Sequence, residues 1–302
     1  MSTPTESTMA GQPATGVIHD IGYRHYEGER LGRGAIARSL YVDSLRGAFG
    51  LGRSAKSKIA PFLLLAFMTI PALAVAIIVN VAVAKALPFP LTQYASFVYI
   101  LVCLYVGGQA PASVSRDLRF RVTSLYFSRP LRRADYVGAK FAALTTAVAI
   151  VLIVPLIVLL AGALLSPLPK GDSLTGFGQA LVGVAVLAAM VAGVGLAIAS
   201  VTPRRGIGVG AIVAVLIVLW GVEGAVQGVL QSQGHADAAR WAVLVSPGAT
   251  ADGVTAWLFG TKPASGLAPT TASGLVCLAT AIVLAAGAYA FLRLRYRRVS
   301  VS

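Results

Sequence analysis

The chain has 302 residues, 57% of them hydrophobic and only 12% charged, and its mean hydropathy is strongly positive. That balance excludes an ordinary water-soluble domain, in which about 25% of residues carry charge. The net charge of +14 raises nucleic acid as a partner, but the Lys and Arg residues lie between apolar blocks and not on one soluble face, so the charge belongs to membrane topology.

In chain order, residues 1–59 form a polar, basic tail without the apolar core and small-residue cleavage site of a signal peptide. Within it Ile36, Leu40, Tyr41, Leu45, Ala48 and Phe49 recur at helical spacing, with Asp43, Arg46 and Arg53 on the other side. This pattern predicts an amphipathic helix lying on the membrane surface. Six segments then reach the roughly 20 apolar residues that a helix needs to cross a bilayer. They are residues 60–84, 92–112, 141–165, 177–201, 206–229 and 272–292. Pro71 and Pro155 lie inside the first and third and predict bends there. Cys103 and Cys277 fall within apolar runs, where a thiol packs as a small hydrophobe.

The distribution of basic residues sets the orientation. The N-terminal tail, the loop between spans two and three, the Arg204-Arg205 pair and the C-terminal tail together hold 21 of the 25 Lys and Arg residues. The other side carries only Lys85, Lys170, Arg240 and Lys262, which places both termini in the cytoplasm by the positive-inside rule. The expected fold is an all-α polytopic membrane protein with six transmembrane helices. An amphipathic N-terminal tail (1–59) leads into one membrane domain (60–292), followed by a basic tail (293–302).

The most informative stretch is the loop 113–140. Val114, Leu118, Val122, Leu125 and Tyr126 form a helical stripe that Pro130 should end near Ser128. A second helix is predicted to begin near Pro130 and run through Lys140 into span three. In these residues the chain resembles the ABC-2 type permeases, the membrane subunits of type-2 ATP-binding-cassette exporters. In that family an acidic residue closes span two, and a short cytosolic helix precedes an SRP…R..Y..GK pattern. Asp117, Ser128-Arg129-Pro130, Arg133, Tyr136 and Lys140 stand at those positions, with Asp where Glu is common and Ala139 between Gly138 and Lys140.

The resemblance implies that this loop is a coupling helix. Leu118, Val122, Leu125 and Phe127 would dock on a separate ATPase subunit, and Arg129, Pro130 and Arg133 would hold the helix base near lipid phosphates or that partner. It implies further a second permease copy or homologue as dimer partner, with ATP and Mg bound by the ATPase subunit and not by this chain. The sequence agrees in one respect: it has no G-x-x-x-x-G-K-[ST] phosphate loop, and no Gly-Lys pair at all. His19, His25 and His235 lie outside the spans without a HExxH or serine-elbow context, which argues against an intramembrane hydrolase.

Span five carries Glu223, the one acidic residue inside the six apolar blocks, and an intramembrane carboxylate is a candidate for substrate contact or gating. At about 1.5 Å per residue it sits roughly 25 Å from the start of its span, near the outer boundary. Gly221, Gly224 and Gly228 around it would let another helix approach closely, so span five is a candidate subunit interface. The last outer loop, 230–271, carries Trp241 and Trp257, residues suited to the membrane interface, and resembles the family's short outer helices. These features point to an ATP-driven exporter permease of the plasma membrane, with lipids and protein subunits as partners and no nucleic acid. The abundance of Ala, Val and Gly points to a GC-rich bacterial source. An ATP-independent channel or secondary carrier is the alternative, which would place several ionisable groups near the bilayer midplane. A non-transporting membrane anchor is another.

Overall fold

The computed structural model describes residues 28, 32–52, 54–82, 86–115, 117, 131–202 and 204–298. The chain divides into two units, Met1–Leu31 and Gly32–Ser302, and the helices described all belong to the second. Among the described residues there is no strand.

The first helix, α1 (Arg33–Ala48), turns its apolar positions inward as its periodicity requires. Leu40 and Ala48 are buried, Ile36, Tyr41, Leu45 and Phe49 pack against the same core, and Asp43 and Arg46 are exposed. A tight turn follows at Gly50, whose φ of 69° and contact with the Ser57 carbonyl leave no room for a side chain. The chain then enters α2 (Lys56–Val81), which runs on through Pro61 and Pro71. Its outer surface presents Phe62, Leu63, Phe67, Ile70, Leu73 and Ile77. Large apolar side chains on the outside and small ones within are the reverse of a soluble helix and suit a hydrocarbon solvent.

The second span departs from the single helix expected over 92–112. A 3-10 turn (Leu91–Gln93) and a short α3 (Tyr94–Phe97) meet α4 (Tyr99–Ser113) at a bend of 59°. No proline lies at the bend. Tyr99, fully buried, sits instead against Gly248, where an added methyl group would lie 2.8 Å from the ring, so packing with a distant segment sets the break.

The longest helix, α5 (Arg133–Leu165), passes through Pro155, and α6 (Lys170–Val201) begins just after Pro169. Then come α7 (Arg205–Ser232), the single turn α8 (Ala236–Ala239), α9 (Pro247–Phe259) and α10 (Thr271–Arg298). Proline at the first position of α9 and the left-handed Gly260 at its end, φ 64°, delimit it in the usual way. Five helices, α2, α5, α6, α7 and α10, are long and apolar enough to cross a membrane, and the bent pair makes a sixth if it counts as one span. Residues 293–298, expected as part of a tail, continue α10 as helix.

The central element is α6, which packs against α4, α5, α7, α9 and α10. Its buried side is built of small residues, Ala188, Ala192, Gly193, Gly195 and Ala199 among them, and these let neighbouring backbones approach. The same logic joins α2 to α5. A methyl group on Gly162 would lie 2.4 Å from Ala76 Cβ, and Asn80 Nδ2 donates at 2.8 Å to both the Ala76 and Gly162 carbonyls. Replacing Asn80 by Ala should cost about 1 kcal/mol, and Gly162→Leu, which must push the helices apart, should cost more. Reversible unfolding of the purified protein in mixed micelles measures both.

Candidate functional site

Polar side chains collect at the two ends of the bundle. One end holds α1, the last turns of α4, α6 and α10, and the start of α5. The opposite end holds the connection between α2 and α3, the turn before α6, and the segment from the end of α7 through α9 to α10.

At the first end, three positions of the loop pattern come together. Tyr136 and Lys140 lie one turn apart on α5, so both face the foot of α4. The Tyr136 hydroxyl donates to Asp117 Oδ2 at 2.7 Å, and Lys140 Nζ stands 3.0 Å from the same oxygen. Lys140 also donates to the Ser113 carbonyl at 3.0 Å, at the C-terminus of α4, where the helix dipole favours a cation. The ammonium lies 5.6 Å from the Tyr136 ring centroid, on the scale of a cation–π contact. Tyr136 is wholly buried, Lys140 is only 7% exposed and the Asp117 side chain 17%, so the charge pair is largely shielded from water.

Further ties fasten other helices to this junction. Ser115 Oγ donates to the Ala199 carbonyl at 2.9 Å, and Arg295 Nε to the Ser200 carbonyl at 2.9 Å, holding the ends of α4 and α10 to the end of α6. Arg133, expected near lipid phosphate or a partner, donates to the Arg297 carbonyl at 2.9 Å. The Tyr296 ring packs on Tyr136 with centroids 5.1 Å apart. Asp135, in the first turn of α5, accepts the Arg132 amide at 3.2 Å and two hydrogen bonds from Arg33 of α1, one of them 2.6 Å long. Hydrogen bonding to Asp135 raises the Arg33 guanidinium above its ordinary value.

Leu118, Val122, Leu125, Phe127, Arg129 and Pro130 lie outside the described residues, so only the two feet of the loop, Asp117 and Arg133 to Lys140, can be placed. The sequence pattern gave no warning of Arg33, Asp135 or Arg295. A signal existed for Tyr296: with Leu292, four residues earlier, it continues the buried stripe of α10 beyond the apolar block.

At the opposite end Glu223 lines a cavity of about 310 Å³ with Tyr99, Trp220, Gln227, Arg240 and Asp252. The buried residues of α7 are Gly208, Ile212, Leu216, Glu223 and Gln227, so the stripe that is apolar in its first half is polar in its second. Asp252, on the 13-residue α9 between the spans, accepts the Ala264 amide at 2.6 Å, and burial pushes its carboxyl up to about 6. No protein-family model matches the sequence, and no curated protein matches it either.

At the first site the Asp117 carboxylate, the Tyr136 hydroxyl and the Lys140 ammonium are engaged with one another. Removing either member of the Asp117–Lys140 pair leaves the other largely buried without its counter-charge, keeping only a neutral hydrogen-bond partner, which should cost about 3 kcal/mol. Asp117→Asn with Lys140→Met together should cost less than the sum of the two singles, as a double-mutant cycle of unfolding in mixed micelles would register.

Proposed function

We propose that this chain is the permease subunit of a type-2 ATP-binding-cassette exporter, seated in the plasma membrane with both termini in the cytoplasm. The observation that supports this most directly is the meeting of Asp117, Tyr136 and Lys140 at the feet of the loop 118–130. These are three of the positions on which the family pattern rests, and their contact joins the end of span two to the start of span three. A short lever on that base would pass the motion of a cytosolic ATPase directly into α4 and α5.

The orientation has support of its own. Arg33, Arg38 and Arg46 of α1, and Arg133, Arg204, Arg205, Arg293, Arg295 and Arg297 at helix ends, belong to the end of the bundle that holds the junction, the cytoplasmic side in this reading. The partner ATPase supplies the ATP and Mg site. A second permease copy would pack on α7, which turns Val218, Val222, Val226 and Val229 outward beside Gly221, Gly224 and Gly228, glycines with open space around them among the described residues.

The test is reconstitution with the ATPase that copurifies with the chain or is encoded beside it. The double substitution Leu118→Ala with Phe127→Ala should abolish permease-dependent stimulation of ATP hydrolysis while membrane insertion stays intact. Unchanged stimulation would remove the coupling-helix assignment, and substrate flux by the purified chain without any ATPase would remove the exporter reading altogether. Cysteine labelling checks the orientation: Ser265→Cys should react from outside intact cells, and Arg205→Cys only after permeabilisation.

A further inference from the structure

The cavity at the opposite end of the bundle carries more chemistry than a transmembrane helix needs for packing. Glu223 is 6% exposed and makes no hydrogen bond or ion pair among the described residues. Gln227, one turn on and 8% exposed, has an Nε2 without a hydrogen-bond partner among them. Burying an unpaired carboxylate is costly, and so is leaving a buried amide unsatisfied. The same helix, α7, also packs through the apolar Ile212 and Leu216 nearer its start.

The charge and shape of the lining select the ligand. Two carboxylates, Glu223 and Asp252, face the space against one guanidinium, Arg240, whose Nη1 is already engaged by the exposed Asp237. With both carboxylates ionised, as beside a bound cation, the balance is negative. Trp220 supplies exposed aromatic surface on the same wall, and the buried Tyr99 ring backs it with the centroids 6.4 Å apart. A carboxylate beside aromatic faces stabilises a cation twice, by charge and by the ring quadrupole. The volume of about 310 Å³ suits a small organic molecule.

We propose that this cavity is a binding site for an organic cation, an ammonium or guanidinium group on an apolar or aromatic body, with Glu223 as its principal counter-charge and Tyr99 and Trp220 as its aromatic wall. As a statement about binding it stands apart from the exporter reading; only the step from ligand to exported cargo rests on that reading.

The experiment uses the purified full-length chain, without ATPase, and two probes of the same shape. Benzyltrimethylammonium carries a permanent charge, and neopentylbenzene replaces its nitrogen by carbon. Titration calorimetry, corrected for protein-free micelles, should show the cation binding at least about tenfold more tightly. Glu223→Gln should remove most of that difference and Asp252→Asn part of it, with binding of the neutral probe kept. Retained neutral binding shows that a variant is folded, and Asp252→Asn, on a separate helix, repeats the test if Glu223→Gln does not fold. Equal affinity for the two probes, absence of binding by both, or a cation preference that survives both substitutions would overturn the proposal. So would tighter binding of benzenesulfonate that Arg240→Gln abolishes, which would make the cavity an anion site. Because no ATP hydrolysis is measured, failure here leaves the exporter reading untouched.

Discussion

A bilayer core offers no hydrogen-bond partners, and most of this architecture follows from that one constraint. Each span satisfies its own backbone by being helical, and apolar bulk then gives the helices no reason to prefer one another to lipid. What holds them together is close approach. Gly162 lies against Ala76, Gly195 against Val106 and Gly193 against Ala288, each at a separation that an added methyl group would violate. Small residues therefore occupy the points of closest helix approach, while large apolar ones such as Phe67 and Ile70 on α2 face outward.

Polar side chains are confined by the same constraint to places where they have partners or a purpose. The Asp117–Lys140 pair has partners: two hydrogen-bond donors meet the carboxylate, and the ammonium also serves the end of α4. A buried ion pair of this kind adds little net stability over an apolar substitute, but it strongly disfavours any arrangement that separates its members. Its contribution is register. It fixes how the foot of α4 sits on α5, and the packed Tyr136 and Tyr296 rings extend that register to α10. Glu223 and Gln227 have no such partners among the described residues, which makes the second end of the bundle different in kind.

The apolar spans were legible because a run of about 20 apolar residues suits a bilayer crossing and little else. Loop positions were legible where spacing matters: Tyr136 and Lys140, four apart, must share a face whatever surrounds them. The bend before Tyr99 was not legible, because its cause is a contact with Gly248, in a segment far along the chain. The bend of 59° falls in a span without a proline at the break, so no residue type in the sequence marked it. Glu223 stood out as a carboxylate in an apolar block, whereas Asp252 sat in a loop where acidic residues are ordinary. Only folding brings the two to one cavity. The helical continuation of α10 was hidden by its arginines, which read as a tail although Tyr296 keeps the buried stripe going.

The two polar ends are mechanically joined. From the Ser113 carbonyl that Lys140 binds at the junction, α4 leads back to the bend where Tyr99 enters the cavity wall, so one helix touches both sites. Along its length it lies against α7, the helix that carries Glu223. A methyl group on Gly107 would stand 2.4 Å from Val213 Cγ2, and one on Gly208 would meet Pro111 at 3.2 Å. Backbones this close interlock and do not slide independently, because packed interfaces move between discrete arrangements instead of deforming smoothly. A displacement of the α4 foot would therefore carry α7 with it and shift Tyr99, Trp220 and Glu223 together relative to Asp252 on α9. In the proposed exporter, this gives ATP hydrolysis on one side a physical route to ligand affinity on the other, without any charged residue at the bilayer centre.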